Sequence, residues 1–221
     1  GSAGDGPGRA NGGRCNASTP GGGGGAGARA KGSDGGLNDT AEGGDQTNWL
    51  THFLTGDTLD ILTGAGGGGG GVDASTTGGN GGAGGAGLYI IANKVLIDVG
   101  FAWTSNGSNG GNVTPGLDGG GGGGGAGGPI IIMARTIEFQ ATSGTVLSST
   151  GGTGGTGNGG GGNGGAGSVG HVVLLYERWW DVDGRLNTTN LAARTNPDAD
   201  TYEVALYEIQ GGRTKIKVAR T

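Results

Sequence analysis

The sequence predicts an all-β chain in which packed polyglycine-II helices alternate with short β-strands, layered on a repeat unit of about 42 residues, with no α-helix of note. Three observations predict it. Glycine supplies 63 of the 221 residues. The glycine blocks alternate at fixed spacing with apolar, β-branched runs, and apolar positions at helical period are absent.

The strands carry the repeat. Leu88-Tyr89-Ile90-Ile91-Ala92 follows Gly87, Pro129-Ile130-Ile131-Ile132-Met133-Ala134 follows Gly128, and His171-Val172-Val173-Leu174-Leu175-Tyr176 follows Gly170. Ala92, Ala134 and Tyr176 fall 42 residues apart, and the same offset sets Val95 opposite Ile137 and Ile97 opposite Phe139. Each unit thus reads as a glycine block, an apolar strand, a second short strand, and another glycine block. The less regular block from Gly21 to Gly27 suggests a degenerate earlier unit that ends near Trp49 to Leu62.

Inside the blocks the period is three. Gly78-Gly79-Asn80, Gly81-Gly82-Ala83 and Gly84-Gly85-Ala86 are successive Gly-Gly-X triplets, and Gly151-Gly152-Thr153, Gly154-Gly155-Thr156, Gly161-Gly162-Asn163 and Gly164-Gly165-Ala166 repeat the pattern. A polyproline-II-like helix has three residues per turn, so every X lies on one edge and two edges are bare backbone. Such a helix has no internal hydrogen bonds, and ordering glycine costs more entropy than ordering any other residue. Lateral hydrogen bonds between close-packed runs, at roughly 1 kcal/mol net each, are what can offset that cost. Lengths match too: residues 78–87 would span about 31 Å as such a helix and residues 88–97 about 33 Å as a strand.

After Glu177 the glycine blocks stop. Tyr202–Ile209, a Gln210-Gly211-Gly212 turn and Arg213–Ala219 predict a β-hairpin with acidic residues facing basic ones. The organisation expected is a glycine-rich N-terminal segment with a degenerate repeat (1–63), a repeat core (64–176) and a C-terminal hairpin subdomain (177–221).

Composition narrows the function. Collagen would need glycine at every third position throughout and abundant proline, and the chain has 5 prolines. A flexible linker has no reason to alternate with apolar strands. The net charge of −5, spread along the chain, argues against a nucleic-acid partner. One cysteine, Cys15, excludes an internal disulfide framework. No apolar stretch reaches the ~20 residues of a membrane helix, so no membrane insertion is expected.

The sequence predicts no enzyme and no cofactor. His52 and His171 lack partners at ligand spacing, Cys15 has no companion, and the many Gly-x-Gly-x-x-Gly matches lack the strand-then-helix context that a nucleotide site needs. Asp181-Val182-Asp183-Gly184 with Asn187 faintly resembles a calcium loop without its closing glutamate; Asp181, Asp183 and Asn187 are the weak metal candidates. Aromatic rings beside polar groups suit sugar or protein recognition. That points to Phe101, Trp103, Asn106 and Asn109 in the polar segment 99–112, and to Trp179 and Trp180 past the last repeat strand. The alternative is that these tryptophans cap the glycine slab or fill a subunit interface. Asn-x-Ser/Thr sequons stand at Asn16, Asn38, Asn106, Asn112 and Asn187.

The plan of Gly119 to Gly128 leading into Pro129–Ala134, then Thr136-Ile137-Glu138-Phe139 and back to Gly-Gly-Thr triplets, resembles the glycine-rich domains of tailed-virus adhesins and tail-fibre tips. The likeness covers residues 64–176. It implies a polyglycine-II sandwich and a virion or extracellular location. It also implies inter-helix loops at 99–112 and 141–149 that contact a host cell-surface glycan or protein. Its expected partners are other virion or fibre subunits, in a homo-oligomer for which a trimer is favoured. The strands here are longer and more apolar than a pure polyglycine sandwich needs, and the C-terminal hairpin is outside the pattern. A structural subunit of a capsid or tail decoration, or of an extracellular filament, is therefore the alternative. A second resemblance, to glycine-rich antifreeze proteins of small arthropods, would imply ice binding, but X positions here mix Asn, Ala and Thr, and the expected disulfides are missing.

Overall fold

The computed structural model describes residues 1–4, 9–13, 15–16, 19–27, 31–36, 41–45, 63–72, 77–98, 101–115, 117–139, 147–180, 204–210 and 213–216. Among the described residues there is no helix. The strands are β1 (Cys15–Asn16), β2 (Thr19–Pro20), β3 (Leu88–Ile97), β4 (Trp103–Thr104), β5 (Ile130–Phe139), β6 (Leu147–Ser148), β7 (Val172–Trp180), β8 (Val204–Gln210) and β9 (Arg213–Ile216). Over these residues the fold is non-helical and all-β. The chain alternates between two units: Gly1–Gly87, Ser105–Pro129 and Thr150–Gly170 form one, and Leu88–Thr104, Ile130–Ser149 and His171–Thr221 the other.

The second unit holds a five-stranded sheet in the order β3-β5-β7-β8-β9. β3, β5, β7 and β8 run parallel. The pairing of Ala92 with Ala134 and of Ala134 with Tyr176 is the 42-residue offset of the sequence. Parallel neighbours need long crossovers, normally helical. Here the connections from β3 to β5 and from β5 to β7 run through glycine-rich chain instead. β9 closes the sheet antiparallel to β8, with Gln210 opposite Arg213 and Glu208 opposite Lys215, so the two strands of the expected hairpin pair with each other. A two-stranded parallel sheet pairs Trp103 with Leu147.

The core of this unit comprises Val95, Ile97, Ile130, Ile132, Ala134, Ile137, Leu147, Val172 and Leu174, with Leu88, Ile90, Ala92 and Trp103 packed partly against it. The inward residues are 88, 90 and 92 and then 95 and 97 on β3, and 130, 132, 134 and then 137 on β5. Alternation slips by one residue at the same register position in both strands. The second short strand expected from sequence is therefore the end of one continuous ten-residue strand. The slip imitates a break because strand side chains change face every residue.

The first unit is built from segments that carry almost no strand structure yet are hydrogen-bonded sideways. Segment 119–128 shows the plan. Gly120, Gly123 and Ala126 donate their N–H groups to Gly71, Gly68 and Ala65; Gly121, Gly124 and Gly127 donate to Gly162, Gly165 and Ser168; Gly122, Gly125 and Gly128 donate to Gly111, Ser108 and Ser105, all at 2.7–3.0 Å. It accepts from segment 77–86 (Gly79, Gly82, Gly85), from segment 21–27 (Gly23, Ala26) and from segment 150–158 (Gly152, Gly155). The period is three, and the six neighbours also bond to one another in a closed ring: 64–72 to 77–86, to 105–113, to 150–158, to 161–168, to 21–27, and back to 64–72. Segment 21–27 is likewise bonded to 9–13, 31–36, 41–45, 64–72, 119–128 and 161–168.

Triplet composition follows from how many sides are covered. In segment 77–86 a Cβ on Gly78, Gly81 or Gly84 would strike the carbonyl oxygens of Gly70, Gly67 and Gly64, and one on Gly79, Gly82 or Gly85 those of Gly111, Ser108 and Ser105. Asn80, Ala83 and Ala86 point outward and are exposed. That gives Gly-Gly-X. Segments 21–25 and 119–125 are covered on all sides and are glycine throughout. The exceptions, Ala26 and Ala126, meet Ala65 in a small buried alanine cluster.

The fold differs from expectation at 105–113, read from sequence as part of a loop. Gly107, Gly110 and Val113 donate to Thr150, Thr153 and Thr156, and Ser108 and Gly111 donate to Ala83 and Asn80, so this segment is one of the six around 119–128. A Cβ on Gly107 or Gly110 would strike the carbonyl oxygen of Gly125 or Gly122, and one on Gly111 would press on the Asn80 nitrogen at 2.9 Å, while residues 106, 109 and 112 carry their side chains on an exposed edge. Gly159 and Gly160, with φ of 63° and 92°, turn the chain between segments 150–158 and 161–168 in a conformation that favours glycine. The end of the degenerate unit that begins with Gly21 to Gly27, expected near 49–62, lies outside the described residues.

Candidate functional site

In the strand unit, Phe101 and Trp103 come together edge to face, with ring centroids 5.6 Å apart and planes at 89°. Trp103 lies on β4 against the apolar core, held by the pairing of β4 with β6. Phe101 is 51% exposed. Residues two apart on an extended chain share a side, so a fixed indole supports a solvent-facing phenyl ring. Such edge-to-face pairs are worth about 0.5–1.5 kcal/mol beyond burial, which holds the exposed ring in place. Exposed apolar side chains also lie on β3: Tyr89, Ile91 at 82% and Leu96. Partial burial pushes the Tyr89 phenol above its ordinary pKa. The ion pair of Lys94 with Glu138, at 2.6 Å, joins an exposed lysine to a half-buried glutamate near the surface and is worth about 0–1 kcal/mol.

Asn106 and Asn109 belong to the glycine-rich unit, where they serve a ladder. The Oδ1 atoms of Asn106, Asn109 and Asn112 accept from the N–H groups of Thr150, Thr153 and Thr156 at 2.9, 2.9 and 2.8 Å. Gly107, Gly110 and Val113 return bonds to the carbonyls of the same three threonines. Each asparagine amide stands in for a main-chain acceptor where the spacing of the two segments leaves a donor over, at about 0.5–1.5 kcal/mol per bond. The signal that could have found this is the asparagine at every third position from 106 to 112.

Trp179 and Trp180 end β7, opposite Ile137 and Glu138 in register. The weak calcium candidates Asp181, Asp183 and Asn187 lie outside the described residues. Among the described residues no cluster of His, Cys, Asp or Glu could hold a metal ion, and no helix is long and apolar enough to cross a membrane. Sequence reasoning missed Asp34. Its carboxylate accepts from the Gly43 N–H at 2.7 Å and pairs with Lys31 at 3.2 Å, tying segment 31–36 to segment 41–45. The Gly43 N–H and then the Lys31 ammonium hold its pKa below the usual aspartate value, and Lys31 is raised in return.

No protein-family model, no curated protein and no solved structure matches the chain.

Proposed function

We propose that the chain is a structural and adhesive virion protein, a tail-fibre or receptor-binding component. In this reading its glycine segments are polyglycine-II helices in hexagonal array, layered with strands on the 42-residue unit. The observation that carries the reading is segment 119–128, every N–H of which is bonded to one of the surrounding segments at period three. Three residues per turn is the polyproline-II period, and glycine alone lets such helices approach on all sides. A body so poor in side chains offers little room for acid–base or nucleophilic groups and much rigidity, which suits load transmission and display. Phe101, seated on Trp103, is the contact it would present to a cell-surface glycan or protein. Other fibre subunits, in a trimer, complete the assembly.

A second reading, a structural subunit of a decoration layer or filament, draws on Tyr89, Ile91 and Leu96, whose exposure on β3 suits burial against another chain. Binding of the purified protein to host cells separates the two. On the adhesive reading Phe101→Ala, at an exposed position, leaves the fold intact and weakens binding by about tenfold or more, as loss of an aromatic anchor does. Unchanged cell binding by that variant, or assembly into filaments without cell binding, rejects the adhesive reading.

A further inference from the structure

Asn-Gly pairs occur at Asn11, Asn80, Asn106, Asn109, Asn158 and Asn163. Asparagine followed by glycine is the pair most prone to lose its side-chain amide, because glycine leaves the next main-chain nitrogen free to approach the side-chain carbonyl carbon. The fold treats these pairs unequally. Asn109 holds its Oδ1 on the Thr153 N–H at 2.9 Å, while the Gly110 nitrogen donates to Thr153 O at 2.8 Å. Asn106 with Gly107 repeats this on Thr150. Asn163 accepts from the Gly157 N–H at 3.0 Å, and Gly164 donates to Gly155 at 2.8 Å. Asn158 donates its Nδ2 to Leu117 O at 3.2 Å and Thr114 O at 3.5 Å.

Asn80 and Gly81 differ. Both are exposed, and among the described residues neither the Asn80 side chain nor the Gly81 N–H has a hydrogen-bond partner. Their place on the segment explains why: residue 80 is the outward X of its triplet, and the N–H of residue 81 faces no neighbouring carbonyl. Among the described residues the exposed Asn11 side chain and the half-buried Gly12 N–H also have no hydrogen-bond partner, although the Asn11 main-chain N–H is bonded to Glu42.

We propose that Asn80–Gly81, with Asn11–Gly12 as a second such pair, is a site of spontaneous deamidation, and that the array protects Asn106, Asn109 and Asn163. The Gly81 nitrogen attacks Cγ of Asn80. The new C–N bond forms as the Cγ–Nδ2 bond breaks, and the amide proton leaves with the side-chain nitrogen as ammonia. Solvent water then opens the cyclic imide to aspartate or isoaspartate, with no change of oxidation state. The isoaspartate product lengthens the main chain by one carbon just ahead of Gly82, whose N–H donates to Gly123 at 2.8 Å. The site is thus also a place where age disturbs the array.

The test is incubation of the folded chain in mildly alkaline buffer, with peptide mapping by fragmentation mass spectrometry and isoaspartate detection. A denatured sample serves as reference. Conversion in the folded chain is expected at Asn80 and Asn11, at least about tenfold faster than at Asn106, Asn109 and Asn163, where two bonds must first break. In the denatured sample all six pairs convert at similar rates. Asn80→Gln, at an exposed X position, is expected to abolish conversion at that site and leave Asn11 unchanged. Equal rates at Asn80 and Asn109 in the folded chain would overturn the proposal, as would an intact Asn80 while the denatured chain converts.

Discussion

Gly123→Ala is expected to lose most of the folding stability of the chain. The added methyl group would overlap the carbonyl oxygen of Gly24, and that oxygen is fixed by the Gly68 N–H at 3.0 Å. The main chain of residue 123 is held as firmly, donating to Gly68 and accepting from Gly82, both at 2.8 Å. Neither partner is a side chain that could change rotamer. Relief requires two segments to separate, with loss of several lateral bonds. The cost expected is upwards of about 4 kcal/mol, against a total stability of about 5–15 kcal/mol for an ordinary domain. Gly69→Ala is the control: the nearest atom to its Cβ is Ser2 N at 3.4 Å, an ordinary contact. That variant, like Asn80→Ala on the open edge, should stay within about 1 kcal/mol of the parent. Urea unfolding followed by tryptophan fluorescence ranks the three.

The second large effect is expected in the strand unit. Ile132 is fully buried, the third residue of β5, between Ile90 on β3 and Leu174 on β7 in register. Ile132→Ala leaves a cavity that flanking β-strands cannot close, at about 2–5 kcal/mol, while Ile132→Val costs about 0.5–1.5 kcal/mol. Ile91, one position along from Ile90 and 82% exposed, should tolerate alanine within about 0.5 kcal/mol. Equal losses at Ile91 and Ile132 would contradict the assignment of faces in the sheet.

Much of this was legible in residues. The offset that joins Ala92, Ala134 and Tyr176 became the sheet register because parallel strands in a repeat pair like with like. The X residues Asn80 and Ala83 lie on the open edge, as the triplets imply. Less legible was segment 105–113. It carries asparagine and serine on two edges, so it reads as a polar loop; period three persists there in Asn106, Asn109 and Asn112. The slip between Ala92 and Val95 reads as a gap between strands, since sequence alternation alone cannot separate a phase change from a break. An all-glycine run marks a segment with many neighbours without fixing how many: 119–125 has no open side, whereas in 66–71 Gly69 keeps room for a Cβ.

The period-three lateral bonding of the glycine segments is tested most directly by residue-resolved amide hydrogen exchange. Every amide from Gly119 to Gly128 donates to a neighbouring segment and should exchange orders of magnitude more slowly than in an unfolded chain. Along segment 77–86, Gly79, Gly82 and Gly85 should be protected, and Gly78, Gly81 and Gly84 should exchange freely. Protection of alternate residues there, or uniformly fast exchange across both segments, would contradict the account.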